Sequence, residues 1–184
     1  MNSSIKRLDE SRTLIINALR QALNAIESEP KPPLIGAGAD IKITFDSLKA
    51  LINRMDQLLA EEDYGLLTVA IEEILVEALL FLARVMEQYG IYSDATTETP
   101  LTAACYFALG SYTEQEEQKS DQWRDKSIET LSSLIINEHN QITDGLKTDN
   151  MRRVLYDSID LVLLLTILYA AVIERNDTFS LSVE

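Results

Sequence analysis

The sequence predicts an all-α protein, a single-domain bundle of about six helices with two central hydrophobic ones, and three observations carry that expectation. Apolar residues recur at spacings of three and four along most of the chain, the period of one helix face. Two stretches, Leu66 to Met86 and Val154 to Ile173, are dense in large apolar residues and too long for ordinary strands. The prolines cluster at Pro30, Pro32 and Pro33 and again at Pro100, where they punctuate the periodic segments.

The bulk numbers agree with one folded unit. At 184 residues roughly 70% of the unfolded chain's surface can be buried. An apolar fraction of 46% and a charged fraction of 25% are ordinary for a globular protein. The expected organisation is one all-α domain over 1–184, with 1–3 and 176–184 frayed and a Pro/Gly-containing linker over 29–43.

In chain order, Ile5, Leu8, Ile15, Leu19, Ala22 and Ile26 form the stripe of a first amphipathic helix over 3–28, stopped by the proline cluster. Gly36 and Gly38 follow. A dinucleotide-binding loop would need a preceding strand and a third glycine, which this stretch lacks. Phe45, Leu48, Ile52, Met55 and Leu59 predict a second helix, capped by Thr44 and ending near Glu61-Glu62-Asp63.

The third helix is expected from about Asp63 to Tyr89. Its charged and polar residues Glu72, Glu73, Glu77, Arg84, Glu87 and Gln88 fall in one stripe, which makes it a core helix with one wet edge. Gly90 is a natural C-terminal stop, and 91–98 reads as a polar loop. Thr99-Pro100 is a helix start leading into Leu101, Ala104, Cys105, Ala108 and Leu109.

Residues 113–137 open with Glu114, Glu116 and Glu117, which suit the positive end of a helix. They continue with Trp123, Ile128, Leu131, Leu134 and Ile135. The Asn, Asp and Gly content of 137–150 marks a loop, with His139 exposed in it. A sixth helix is expected to begin near Thr148 or Asp149 and to fray after Arg175.

Thirty acidic against sixteen basic residues give a formal charge of −14 and a pI near 4.4. That charge repels nucleic-acid phosphates and anionic lipid heads, so neither nucleic acid nor membrane is an expected partner. A basic protein surface is. The single cysteine, Cys105, has no partner for an internal disulfide, and the amino-terminal MNSSIKRLDESR lacks an apolar signal region. A cytoplasmic location is expected.

Neither apolar stretch is expected to span a membrane. The first carries Glu72, Glu73, Glu77 and Arg84. The second is uninterrupted only from Leu161 to Ile173, short of the roughly 20 residues a span needs.

His139 is the only histidine, which removes every scheme that needs two imidazoles. The carboxylates on the two core helices are the constellation with a chemical use. Glu73 and Glu77 lie one turn apart on one face, as do Asp157 and Asp160. Were the pairs to converge, their oxygens would suit Mg²⁺ or Mn²⁺, able to polarise a phosphoanhydride and activate water. Against this, Arg153 stands four residues before Asp157, placed for an ordinary surface ion pair. Asp160, followed on its side by Leu164, Ile167 and Ala171, is the best single candidate for a functional carboxylate.

The runs Glu72-Glu73-Ile74-Leu75-Val76-Glu77 and Asp157-Ser158-Ile159-Asp160-Leu161-Val162-Leu163 together resemble the MazG-like all-α NTP pyrophosphatases. In that family a Glu-x-x-Glu pair and a later Glu-x-x-Asp pair hold magnesium. The resemblance implies a magnesium site at Glu73, Glu77, Asp157 and Asp160. Here Glu73 and Glu77 are four apart, and the second pair opens with Asp. The run Tyr106-Phe107-Ala108-Leu109-Gly110-Ser111-Tyr112 is similar to part of a tetratricopeptide helix pair, with its last tyrosine one residue early and no second copy. It reads as two helices meeting at Gly110.

These features point first to a non-enzymatic binding protein without a cofactor: an acidic intracellular helical interaction module of the adaptor, chaperone, antitoxin or immunity type. The alternative is a magnesium-dependent all-α nucleoside triphosphate pyrophosphatase. The polar-free run from Leu161 to Ile173 must be wrapped by the other helices or by a second subunit, and a homodimer is expected.

Overall fold

The computed structural model describes residues 41–88 and 126–181. Among these every regular element is an α-helix: α1 (Ile41–Ala60), α2 (Tyr64–Gln88), α3 (Ile128–Lys147) and α4 (Met151–Leu181). The helices expected over 3–28 and after Thr99-Pro100, together with Gly36, Gly38, Cys105, the Tyr106–Tyr112 run and residues 113–125, lie outside the described residues.

The two hairpins, α1–α2 and α3–α4, are built alike. After α1, Glu62 takes a left-handed backbone with φ 56. Its N–H reaches the Leu59 carbonyl at 3.2 Å, while that of Asp63 reaches Leu58 at 3.3 Å. After α3, Asp149 has φ 52, and Asp149 and Asn150 reach back to Leu146 at 3.4 Å and Gly145 at 2.9 Å. This paired closure is a Schellman motif. The next side chain then starts the following helix: Asp63 Oδ1 accepts from the Leu66 N–H at 3.0 Å, and Asn150 Oδ1 from that of Arg153 at 3.2 Å. Stop and start thus share three residues, which forces each pair antiparallel.

Packing follows from which faces are apolar. α4 lies against α2 and α3, and α1 lies on α2 with a lighter contact to α3. Phe45 near the start of α1 meets Phe81 near the end of α2, ring centroids 5.3 Å apart. Every residue of α4 from Leu161 to Tyr169 is buried, more than two turns. The buried polar groups of α4 in and just before that run are satisfied locally or across the helix contact. Ser158 donates to the Val154 carbonyl, Thr166 to that of Val162 at 2.8 Å, and the Tyr169 hydroxyl to Glu72 of α2. Burial of Leu161 to Tyr169 is supplied within one chain, while Ala170, Ala171 and Ile173 at the end of the apolar run are half-buried.

Four expectations need correction. Thr44 is not a cap: α1 begins at Ile41, and Thr44 is buried inside it. Residues 137–147 are not a loop but the second half of α3. Buried Ile135, His139 and Ile142 and the half-buried Leu146 continue the helical stripe, and their burial overrides the weak helix propensity of Asn, Asp and Gly. His139 is accordingly buried, not exposed. The start of α4 also moves: it begins at Met151, capped by Asn150.

The membrane argument changes as well. Taken over its whole length, Met151–Ile173 is long and apolar enough to cross a membrane, with mean hydropathy 1.9, and 61% of that window is buried inside the protein. A core helix passes the same test.

Candidate functional site

The four carboxylates singled out in the sequence go to different places. Glu73, on the exposed edge of α2, is held by Arg54 of α1, Nη1 to Oε2 3.3 Å. Glu77 is half-buried one turn further along. Asp157 is gripped on its own helix by Arg153, Nε to Oδ2 3.3 Å, the ion pair its spacing suggests. Asp160 is half-buried and bears on Glu138 of α3. Among the described residues no group of three or more His, Cys, Asp or Glu side chains is placed to hold a metal ion. Of the four residues that the MazG-like resemblance implied, Glu73 and Asp157 are each held by an arginine. The spacing within the four puts each pair on one helix face. The rotation of each helix in the packing turns Glu73 toward α1 and Asp160 toward α3.

Where α3 meets α4 the structure gathers a different set. Glu138 sits beside Asp157 and Asp160, and its carboxyl is pushed up from 4.5 to about 7, first by burial and then by the two aspartates. Burial also raises Asp157, against the pull of Arg153. Gln141 Nε2 donates to Glu138 at 3.3 Å, and Arg153 donates to Gln141 at 3.4 Å. Arg153 thereby reaches Glu138 through Gln141 while it pairs with Asp157. The set can hold and release a proton near neutrality. The sequence signal was present, since Glu138 lies within a turn of Gln141 on a helix that reads as a loop by composition.

On the next residue of α3, about 100° around the helix, the His139 ring stacks on Phe45 of α1, centroids 4.7 Å apart and planes 6° from parallel. Its pKa is lowered by burial and then by the positive charge of Lys49. Nε2 is buried without a hydrogen-bond partner, as is Ser132 Oγ.

The outward face of α2 is the third feature. Leu66 and Val69 are 51% and 50% exposed, one turn apart and in line with exposed Glu73 and half-buried Val76, Glu77 and Leu80. Exposed Glu61, Glu62 and Asp63 stand at its upper end. Tyr156, 55% exposed on α4, lies 5.9 Å beneath the guanidinium of Arg152.

No family model, curated protein or solved structure matches the chain. What the protein does is therefore argued from its own residues. Of the three features, the outward face of α2 alone offers exposed apolar surface beside fixed charge. The Glu138 set and His139 are turned into helix contacts.

Proposed function

We propose that this chain is an acidic intracellular helical interaction module that binds the basic, partly apolar surface of a protein partner. The observation that carries the reading is the face of α2, where exposed Leu66 and Val69 are flanked by Glu61, Glu62, Asp63 and Glu73. Large apolar side chains half open to water are costly to leave so and favourable to cover. The surrounding carboxylates select a positively charged cover. The overall charge of −14 favours the same partner class and disfavours nucleic acid and anionic membranes.

In this reading the whole chain is one six-helix bundle domain, works in the cytoplasm, and uses no cofactor. Adaptor, chaperone, antitoxin and immunity roles all fit a surface of this kind. The chain is also proposed to form a homodimer, and light scattering at micromolar concentration distinguishes that arrangement from a monomer.

Affinity capture from the native host tests the reading. Wild-type chain is expected to retain a partner of high pI that Leu66→Asp/Val69→Asp does not retain, although both proteins fold. Equal retention by both, or no enrichment over an unrelated protein of equal negative charge, contradicts it.

A further inference from the structure

His139 has a geometry that suits a neutral imidazole and not an imidazolium. The residue is 6% exposed, its ring lies flat on Phe45, and Nε2 has neither water-accessible surface nor a hydrogen-bond partner. As neutral imidazole the ring behaves as a small aromatic and packs well there. As imidazolium it carries a second N–H donor and a full charge into a place that offers neither solvent nor an acceptor for Nε2.

The charges around it do not relieve this. From α1, Lys49 faces the ring and opposes a second positive charge. From α2, Phe81 backs Phe45. The carboxylates of α4 that approach α3, Asp157 and Asp160, bear on Glu138 rather than on His139. On α3 itself Asn140 gives the charged form modest help. The face of Phe45 attracts a cation, but from one side only, and burial remains the largest influence.

The position of this ring matters because α1 contacts α3 less extensively than it contacts α2. Phe45 is the aromatic link between the two contacts, since its ring meets Phe81 and His139 together.

We propose that His139 is a proton-controlled latch on α1: as neutral imidazole it holds α1 against α3, and as imidazolium it releases the Phe45 end of α1. Acidification then opens this contact while the α2–α4 and α3–α4 contacts remain. The linkage has a fixed sign. The open state takes a proton with the ordinary histidine pKa of about 6.5 and the closed state resists it, so opening grows as pH falls below that value.

The full chain tests this without labels, because His139 is the only histidine and its Hε1 proton gives one assignable resonance. Amide hydrogen exchange across α1, corrected for intrinsic rates, is followed with that resonance from about pH 7.5 to about pH 5. Opening of α1 is expected to rise by up to about tenfold per pH unit below about 6.5, with exchange in α4 unchanged. His139→Phe and His139→Gln are expected to flatten the response, and Glu138→Gln to keep it, which separates the two neighbouring titrations. An α1 exchange rate that stays constant while the resonance titrates overturns the proposal. So does an equal pH response in either His139 variant, and the wild-type measurement decides the matter even if a variant does not fold.

Discussion

Glu138 and His139 are consecutive on α3, about 100° apart around it, so that one bears on Asp157 and Asp160 and the other stacks on Phe45; they respond to protons with opposite signs. The Glu138 carboxyl is raised from 4.5 to about 7, so its contribution to stability is fully present below the unfolded value near 4.5 and is lost as pH rises through about 7. Glu138→Gln removes the charge and keeps an acceptor for Gln141. That variant is expected to match wild type near pH 4.5 and to exceed it at about pH 8 in urea denaturation. A variant weaker than wild type at the higher pH would show that the charged carboxylate is stabilising. Neither residue was legible as a core position, because the sequence around them is rich in Asn and Asp, and a histidine in such company reads as a surface residue. The apolar spacing of Leu131, Ile135 and Ile142, with His139 counted as an aromatic member, carries the stripe through.

In the helices themselves, local sequence explained more than it did for single side chains. The boundaries of α2 and the apolar body of α4 followed from periodicity, and Asp63 and Asn150 are ordinary N-cap residues once the hairpins are seen. The use of left-handed Glu62 and Asp149 instead of glycine is what hid the turns. Gly145, by contrast, stands inside α3 where a turn was expected. A Cβ there would lie 2.8 Å from Val154 Cγ2 and 3.5 Å from the Val154 backbone nitrogen. Val154 is fully buried and β-branched, so it has little room to yield. Gly145→Ala improves helix propensity by about 1 kcal/mol, yet overpacking costs typically 1–3 kcal/mol. A net loss of about 1 kcal/mol is expected from the shift in denaturation midpoint. A gain would mean that α3 and α4 can separate at this point without penalty.

For the molecule as a whole, the helical class was readable from periodicity and the meeting of carboxylates was not. Sequence spacing assigns Glu73 and Glu77 to one face of α2, and Asp157 and Asp160 to one face of α4. Only the rotation of each helix in the packed protein decides which neighbour a face meets. The answer is Arg54 for Glu73 and Glu138 for Asp160. Mg²⁺ titrated into the protein by calorimetry is accordingly expected to give no saturable heat at millimolar concentration, and a saturable isotherm lost in Asp160→Asn would restore the hydrolase reading. The same packing leaves Leu66 and Val69 outside on α2 beside its acids. This is the face to which the proposed partner contact is assigned.

A photo-crosslinking residue placed at Val69, with a control at exposed Ser133 on α3, tests the proposed contact in the native host. One adduct with a basic protein at position 69, reduced or lost at position 133 and abolished by Leu66→Asp, is the expected result. No adduct at position 69, or adducts of equal intensity at both positions, would contradict the assignment of the α2 face as the binding surface.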